Sequence, residues 1–124
     1  MNVAQIVTNV NSQDPERLIA FYQDVVGLTP AFDFAPGAFA VGPSQSVTLL
    51  IEGHSEVSGT NREPARVLLN FLVEDTVSEQ RRLESRGVRF IRTAYEESGI
   101  GVFATFVDPD GNYCQLAQLW HPSP

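Results

Sequence analysis

The sequence has one cysteine, few cationic residues and no apolar run long enough for a membrane span among its 124 residues. With Cys114 alone, no internal disulfide can form, which agrees with a reducing compartment. A helix needs about 20 apolar residues to cross a bilayer, so we expect no membrane partner. Polar residues interrupt the N-terminal segment and no Lys or Arg precedes Arg17, so no signal peptide is indicated. A cytoplasmic location is therefore expected.

Cationic side chains are outnumbered by acidic ones. The eight Lys and Arg face 15 Asp and Glu, which gives a formal net charge of −7. Because phosphate backbones are bound by clustered cations, this composition argues against nucleic acid as a partner. Arg81, Arg82 and Arg86 do cluster, but Glu79 and Glu84 are interleaved with them, which is typical of a solvated helix face. The acidic balance weakly favours a cationic ligand.

Two helices are predicted from caps and from apolar spacing. Asp14 is expected to cap the first, over residues 14–26, and Gly27 to end it. Its apolar residues recur at helical spacing and form one stripe, made of Leu18, Phe21, Tyr22 and Val25. Phe21 and Tyr22 are expected to be the central bulk of this buried face. The second helix is expected from residue 75 or 76 to residue 86, and Gly87 ends it.

The remaining apolar segments are typical of strands separated by glycine and proline turns. Strands are predicted at residues 6–10, 31–35, 38–41, 46–51, 66–73, 88–93, 102–107 and 113–119. The segment Asp108-Pro109-Asp110-Gly111 predicts a tight hairpin turn, because proline fixes one turn dihedral and glycine accepts a positive φ. Few apolar residues occur over 53–65, which indicates a linker.

The order strand, helix and three strands occurs twice. Asp14 and Asp75 are 61 positions apart, and Gly27 and Gly87 are 60 apart. Neither half can bury its sheet alone, so the halves are expected to share a core. We expect an α+β fold of two tandem βαβββ modules that form a curled mixed sheet with the helices outside. This single domain over 1–124 would comprise module one at about 1–53, a linker at about 54–65 and module two at about 66–120.

Several short stretches carry a family resemblance. They are Asp14-Pro15-Glu16-Arg17 before Phe21-Tyr22, Val26-Gly27-Leu28, Phe71-Leu72-Val73-Glu74-Asp75 before Gly87-Val88, and Phe106-Val107-Asp108-Pro109-Asp110-Gly111-Asn112. With the tandem βαβββ order, they resemble the vicinal oxygen chelate superfamily of glyoxalases, bleomycin-resistance proteins and extradiol dioxygenases. The resemblance covers nearly the whole chain. It implies a small-molecule ligand and, together with exposed sheet edges, a homodimer.

In metal-using members of this family, the first and last strands of each module supply His, Gln or Glu to one divalent ion. The resemblance places these positions at Val7 or Gln5, Leu49, Leu68 and Gln115. Leucine cannot donate to a metal and an amide is a weak neutral ligand, so we expect a protein without metal or other cofactor. The alternative is one divalent metal ion in a non-standard site, for which the fallback ligands are Gln5, Glu52 and Gln115.

Other reactive groups carry little signal. His54 and His121 are expected on the surface, and Cys114 is expected to point away from the cleft as an inert buried side chain. The sequence contains no nucleophile elbow, CxxC pair, P-loop or dinucleotide-binding motif, so no catalytic residue is assigned.

Strand parity predicts which side chains line the cleft. The expected ligand-binding set is Val7, Asn9, Leu49, Leu68, Asn70, Tyr113 and Gln115. Some of four phenylalanines are expected to join it, namely Phe32, Phe34, Phe39 and Phe103. An apolar concave face with a few amides and a phenol is typical of a small-molecule pocket. Whether Asn9 and Asn70 orient a ligand or satisfy internal backbone groups stays open.

Three functions are compatible with these features. The first is a metal-free small-molecule-binding protein of the bleomycin-resistance type that sequesters an aromatic or cationic compound. The alternative is an enzyme of the family, such as a glyoxalase or other lyase, an isomerase or a dioxygenase, with a degenerate metal site. The third is a structural or regulatory protein without a ligand.

Overall fold

The computed structural model of the protein describes residues 1–31, 35–42 and 46–120. Packing divides the chain into two compact units, Met1–Gly59 and Thr60–Pro124. The division falls inside the predicted linker, and each unit corresponds to one predicted module. Within the described residues, each unit contains one helix and a four-stranded mixed sheet.

The first unit follows the predicted order of strand, helix and three strands. Its elements are β1 (Thr8–Ser12), α1 (Pro15–Ala20) with a π-helical continuation over Phe21–Val26, β2 (Thr29–Pro30), β3 (Ala38–Ala40) and β4 (Val47–Gly53). The strands lie in the order β1-β4-β3-β2, with β1 parallel to β4 and the other pairs antiparallel. β1 begins two residues later than predicted because its ladder with β4 starts at the Thr8–Leu49 pair. β2 lies before the strand predicted at 31–35, of which residues 32–34 lie outside the described residues.

The second unit repeats the arrangement. Its elements are β5 (Leu69–Leu72), α2 (Thr76–Ser85), β6 (Phe90–Glu97), β7 (Gly101–Val107) and β8 (Tyr113–Leu119). The order is β5-β8-β7-β6, with β5 parallel to β8 and the other pairs antiparallel. β8 has the predicted bounds. β5 is shorter than predicted, since its ladder with β8 begins only at the Leu69–Cys114 pair.

The helix ends follow the predicted capping residues. The Asp14 carboxylate accepts a hydrogen bond from the backbone N–H of Arg17 at 3.2 Å. Asp75, and not Thr76, caps α2 by accepting from the N–H of Ser78 at 3.1 Å. Gly27 ends the first helix with φ +90°. In this left-handed conformation, the Cβ atom of any other residue would lie too close to the backbone carbonyl oxygen.

The buried side of the first unit centres on one aromatic residue of the helix. Tyr22 and Leu18 are fully buried, and Phe39, Leu49 and Ile51 of the sheet are also buried. Phe21 is only half-buried and meets Tyr22 edge-on, with ring centroids 5.3 Å apart. The expectation that Phe21 and Tyr22 share the centre of this face equally is therefore corrected in favour of Tyr22.

The buried side of the second unit is built around Phe106. The Phe106 ring centroid lies 5.5 Å from that of Phe90 and 6.3 Å from that of Phe71. Cys114 pairs with Phe106 in the ladder and is fully buried, which confirms that its side chain points inward. Leu83 of α2 is buried as well.

The predicted turn between β7 and β8 is organised by a buried carboxylate. Asp108 Oδ1 accepts from the backbone N–H groups of Asp110 and Asn112, both at 2.9 Å, and Oδ2 accepts from Asn112 Nδ2 at 2.8 Å. Gly111 has φ +81°, as the turn requires. The two aspartates and the asparagine thus hold two strands in register, which is a structural role.

Candidate functional site

A row of four polar side chains crosses every strand of the second sheet. The ladders pair Asn70 with Gln115, Gln115 with Thr105, and Thr105 with Arg92. Paired residues of neighbouring strands present their side chains on the same face, about 4.5–5.5 Å apart. We call Asn70, Gln115, Thr105 and Arg92 the polar row. Their face is the one opposite Phe106 and Cys114, because side chains alternate along a strand.

Apolar side chains flank the polar row on both sides. One flanking row pairs across the four strands and consists of Leu72, Ala117, Phe103 and Tyr95. On the other side, Tyr113 pairs with Val107. We call the polar row together with these two flanks the candidate face. It mixes amides, a hydroxyl and phenols with aliphatic and aromatic surface, which suits an amphipathic small molecule.

The polar groups at the centre of the candidate face are available to a ligand. Asn70 is exposed, while Thr105, Tyr113 and Gln115 are half-buried. Within residues 1–31, 35–42 and 46–120, the side chains of Asn70, Gln115 and Tyr113 have no hydrogen-bond partner. These donors and acceptors lie beside apolar surface, where a hydrogen bond to a ligand is stronger than in open water.

Leu68, Asn70, Tyr113 and Gln115 were expected on one face. The ladders place Asn70 beside Gln115, with Tyr113 two residues along β8. Leu68 precedes β5 and has no ladder partner, so its place on this face stays a prediction. Phe103 joins the same face, although only 8% of its surface is exposed. That any of these residues binds a ligand stays a prediction.

Among the residues of the candidate face that escaped sequence reasoning, those with polar groups are Arg92, Tyr95 and Thr105. The guanidinium carbon of Arg92 lies 3.5 Å from the centroid of the Tyr95 ring, and the Tyr95 and Phe103 ring centroids are 5.9 Å apart. The β6–β7 register shifts between Phe90 and Arg92 and again between Arg92 and Tyr95. Because each shift reverses the alternation, counting residues along β6 cannot place these side chains.

An open hollow of about 520 Å³ adjoins the candidate face. It is lined by Glu63, Pro64, Ala65, Arg66 and Tyr113. The Arg66 and Glu63 side chains form an exposed ion pair with a nitrogen–oxygen distance of 3.0 Å. The segment that leads into β5 therefore lies beside the phenol at one end of the face.

The first unit differs from expectation in its register. Asn9 pairs with Leu50, and the Asn9 amide donates to Glu52 Oε2 at 3.1 Å. Leu49 lies on the opposite, buried side and is 5% exposed, so the expected grouping of Leu49 with Asn9 is wrong. Val7 is exposed and precedes β1. The repeat-related asparagines thus have different surroundings, because Asn9 has a carboxylate partner and Asn70 has none among the described residues.

The remaining sequence candidates are placed as follows. Phe39 is buried on the helix side of the first sheet, so it is not one of the phenylalanines that could line the predicted cleft. Phe32, Phe34 and His121 lie outside the described residues. His54 is exposed, and its Nδ1 accepts from the backbone N–H of Glu56 at 3.1 Å.

The fallback metal ligands do not fit a divalent ion. The Gln5 amide donates to the backbone carbonyl of Val47, and Glu52 accepts from Asn9. Leu68 and Leu49 offer no donor atom, which leaves Gln115 as a lone neutral amide on its face. No group of three His, Cys, Asp or Glu in the described part of the chain could hold an ion. A divalent cation in a protein needs several oxygen or nitrogen donors at once, usually with carboxylates.

The sequence matches the profile of the Glyoxalase/Bleomycin resistance protein/Dioxygenase superfamily over residues 3–116. The chain belongs to this superfamily. The two βαβββ units have the α+β fold expected of it. A comparison with the curated proteins finds no match.

Solved structures of superfamily members and related proteins share the fold. TnmS3, an antibiotic binding protein from a Streptomyces species, is 24% identical, with a TM-score of 0.68 over 97% of this chain and 99% of that chain. A protein of unknown function from Agrobacterium tumefaciens is 19% identical, with a TM-score of 0.73 over 97% of each chain. The trypanothione-dependent glyoxalase I of Leishmania major is 22% identical, with a TM-score of 0.69 over 94% and 87%.

No helix in the described part of this superfamily member is long and apolar enough to cross a membrane.

Proposed function

We propose that this protein binds a small aromatic compound without metal and without chemical turnover. The observation that carries the proposal is the candidate face, where Asn70, Gln115 and Tyr113 keep free polar groups between two apolar flanks. Such a surface can hold an aromatic body by apolar contact and orient it by hydrogen bonds. A protein that sequesters a compound needs only to bind it, so this role is compatible with a site that carries out no chemistry.

The side chains of the candidate face favour binding over catalysis. Its three rows contain amides, a hydroxyl, two phenols and one guanidinium, with no imidazole, thiol or carboxylate. General acid–base catalysis works best with a group whose pKa lies near the operating pH, and a guanidinium stays protonated. TnmS3, which shares the fold, is an antibiotic binding protein, and a binding role of the same kind is what we propose for this chain.

The metal-free part of the proposal predicts the metal content of the purified protein. Nickel, zinc, iron and manganese should each be far below one ion per chain, because Leu68 and Gln115 do not supply a ligand set. Elemental analysis by mass spectrometry, after purification without chelators, measures this content. A value near one ion per chain that falls in the Gln115→Leu variant would overturn the proposal in favour of the enzyme alternative.

The binding part of the proposal predicts that substitution of Gln115 weakens the binding of a ligand without unfolding the protein. Gln115→Leu should weaken binding of the fluorescent probe anthracene-2-carboxamide by about 1–3 kcal/mol, since a polar group of the ligand loses its partner. Stability should hardly change, because the Gln115 side chain makes no hydrogen bond within the described residues. Fluorescence titration gives the affinity and thermal denaturation gives the stability.

The matched control is Gln23→Leu on the helix of the first unit, which should leave the probe affinity unchanged. Equal affinity in wild type and Gln115→Leu would place the binding site away from the candidate face. If neither this probe nor a wider set of aromatic compounds raises the unfolding temperature of the wild type, the proposed function fails.

We also propose that the protein forms a homodimer. β1 and β5 are the end strands of their sheets, and Val67 and Leu72 beside and within β5 are 62% and 68% exposed. Unpaired strand edges with apolar side chains are commonly covered by a second chain. Light scattering coupled to size-exclusion chromatography should give twice the chain mass, and a monomer at tens of micromolar would contradict this proposal.

A further inference from the structure

We propose that Arg92 makes the candidate face selective for aromatic compounds that carry a carboxylate or a comparable anionic group. This inference rests on the proposed function and goes beyond it, since it assigns a charge to the ligand and a specificity role to a residue at one end of the polar row. It also reverses the sign of charge that the net charge of −7 suggests for the ligand.

The position of Arg92 relative to the other polar groups is the first support. Thr105 pairs with Arg92, so the guanidinium ends a line that begins with the amides of Asn70 and Gln115. Four strands about 4.8 Å apart give this line a length of about 14 Å. A carboxylate-bearing ligand of three fused rings fits within that length with its anionic group at Arg92, whereas an uncharged carboxamide can direct its polar group to Gln115 at the other half of the row.

The state of the Arg92 side chain is the second support. Arg92 is exposed and has no carboxylate partner within residues 1–31, 35–42 and 46–120, whereas Arg66 and Arg82 pair with Glu63 and Glu79. An unpaired guanidinium offers N–H groups in a planar fork that matches a carboxylate.

Tyr95 holds the guanidinium in place. With the guanidinium carbon 3.5 Å from the ring centroid, Arg92 lies against the Tyr95 ring, and Tyr95 in turn contacts Phe103. Stacking on a ring face restricts the arginine while its N–H edges stay free for an anion. A restricted side chain loses less conformational entropy on binding, so Tyr95 is a positioning residue for Arg92.

The net negative charge of the chain does not oppose this assignment at short range. Exposed charges are screened beyond about 8–10 Å at physiological ionic strength. A direct contact between Arg92 and a ligand carboxylate is shorter than this length, so the nearest charge decides the preference. Added salt nevertheless weakens an ion pair at an exposed site, so the carboxylate preference should shrink as sodium chloride is added.

The test compares three fluorescent probes of the same shape and different charge. They are anthracene-2-carboxylate, anthracene-2-carboxamide and 2-(aminomethyl)anthracene, titrated against the full chain at physiological ionic strength. Wild type should bind the carboxylate about tenfold more tightly than the carboxamide, and the ammonium probe least tightly. Arg92→Gln should remove this preference by weakening carboxylate binding about tenfold. The control Arg86→Gln, which removes an exposed arginine at the end of α2, should keep the preference.

Variants at the positioning residue separate orientation from folding. Tyr95→Leu should reduce the carboxylate preference several-fold, and the conservative Tyr95→Phe should restore it, because the ring face remains. If Tyr95→Phe lost the preference as fully as Tyr95→Leu, stacking would not be what positions Arg92. Circular dichroism and the unfolding temperature should be unchanged in Arg92→Gln.

Each result of the titrations decides between the two proposals. A carboxamide or ammonium probe that binds as tightly as the carboxylate overturns the role of Arg92 and leaves the proposed function standing. A carboxylate preference that survives Arg92→Gln also overturns that role. If no probe binds the wild type, the inference fails, and the aromatic-binding function fails with it when the wider set of aromatic compounds also leaves the unfolding temperature unchanged.

Discussion

Tyr22→Ala should lower the free energy of unfolding by about 3–5 kcal/mol, the usual cost of removing a buried aromatic side chain. Tyr22 is fully buried in the first unit, as are Phe39 and Ile51 of its sheet. Removing the ring leaves a cavity that the flanking strands can close only in part. Denaturant unfolding followed by circular dichroism measures the loss as a lower midpoint at unchanged slope.

The neighbouring aromatic residue supplies the matched control for this measurement. Phe21 is half-buried and touches Tyr22 edge-on, so Phe21→Ala should cost clearly less, about 1–2 kcal/mol. The order of the two variants is the decisive result. Equal losses would restore the sequence-based view in which both rings share the centre of the helix face, and a larger loss for Phe21→Ala would reverse the packing described for this helix.

Sequence reasoning succeeded where local chemistry fixes the structure. Asp14 and Asp75 cap the helices through hydrogen bonds to residues three positions later, and this spacing can be read directly from the sequence. The Asp108 turn is equally local, since its hydrogen bonds lie within five residues. The bounds of β8, the strand after this turn, were also predicted correctly, because the turn that precedes β8 is fixed by local interactions.

Register across strands was harder to predict, because it depends on partners far apart in sequence. In the first unit, the β3–β4 register shifts between Phe39 and Ala40, and the ladder of β1 starts opposite Leu49. A slip of one residue moves a side chain to the other face of a sheet. Leu49 was therefore expected beside Asn9, whereas Leu50 occupies that place.

The candidate face shows the same division between local and distant information. Asn70, Tyr113 and Gln115 lie on regular strands, so their alternation predicted a common face correctly. Arg92 and Tyr95 lie on a strand whose register shifts twice, and their placement depends on β7. The charged end of the polar row could thus be recognised only from the three-dimensional structure, and with it the charge of the proposed ligand.

Gly37→Ala should destabilise the protein by roughly 2–5 kcal/mol, although it adds a single methyl group. In the sequence, Pro36-Gly37 is one of the glycine and proline turns predicted between strands. In the structure Gly37 has φ +84°, which costs an alanine about 1–2 kcal/mol. An added Cβ would also overlap the carbonyl oxygen of Ile51 and crowd the Ile19 side chain, 2.9 Å away. Relieving such an overlap by moving backbone typically costs about 1–3 kcal/mol more.

Gly42→Ala separates these two contributions because it shares the backbone conformation and lacks the crowding. Gly42 has φ +87°, and an added Cβ would meet nothing within 4 Å, so this variant should lose only the conformational cost of about 1–2 kcal/mol. The difference between the two variants measures how tightly Gly37 approaches Ile51, whose backbone N–H donates to the Gly37 carbonyl at 2.8 Å. Equal midpoints in denaturant would mean that the helix, the turn and β4 are packed less closely than described, since a methyl group would then fit between them without displacing Ile51.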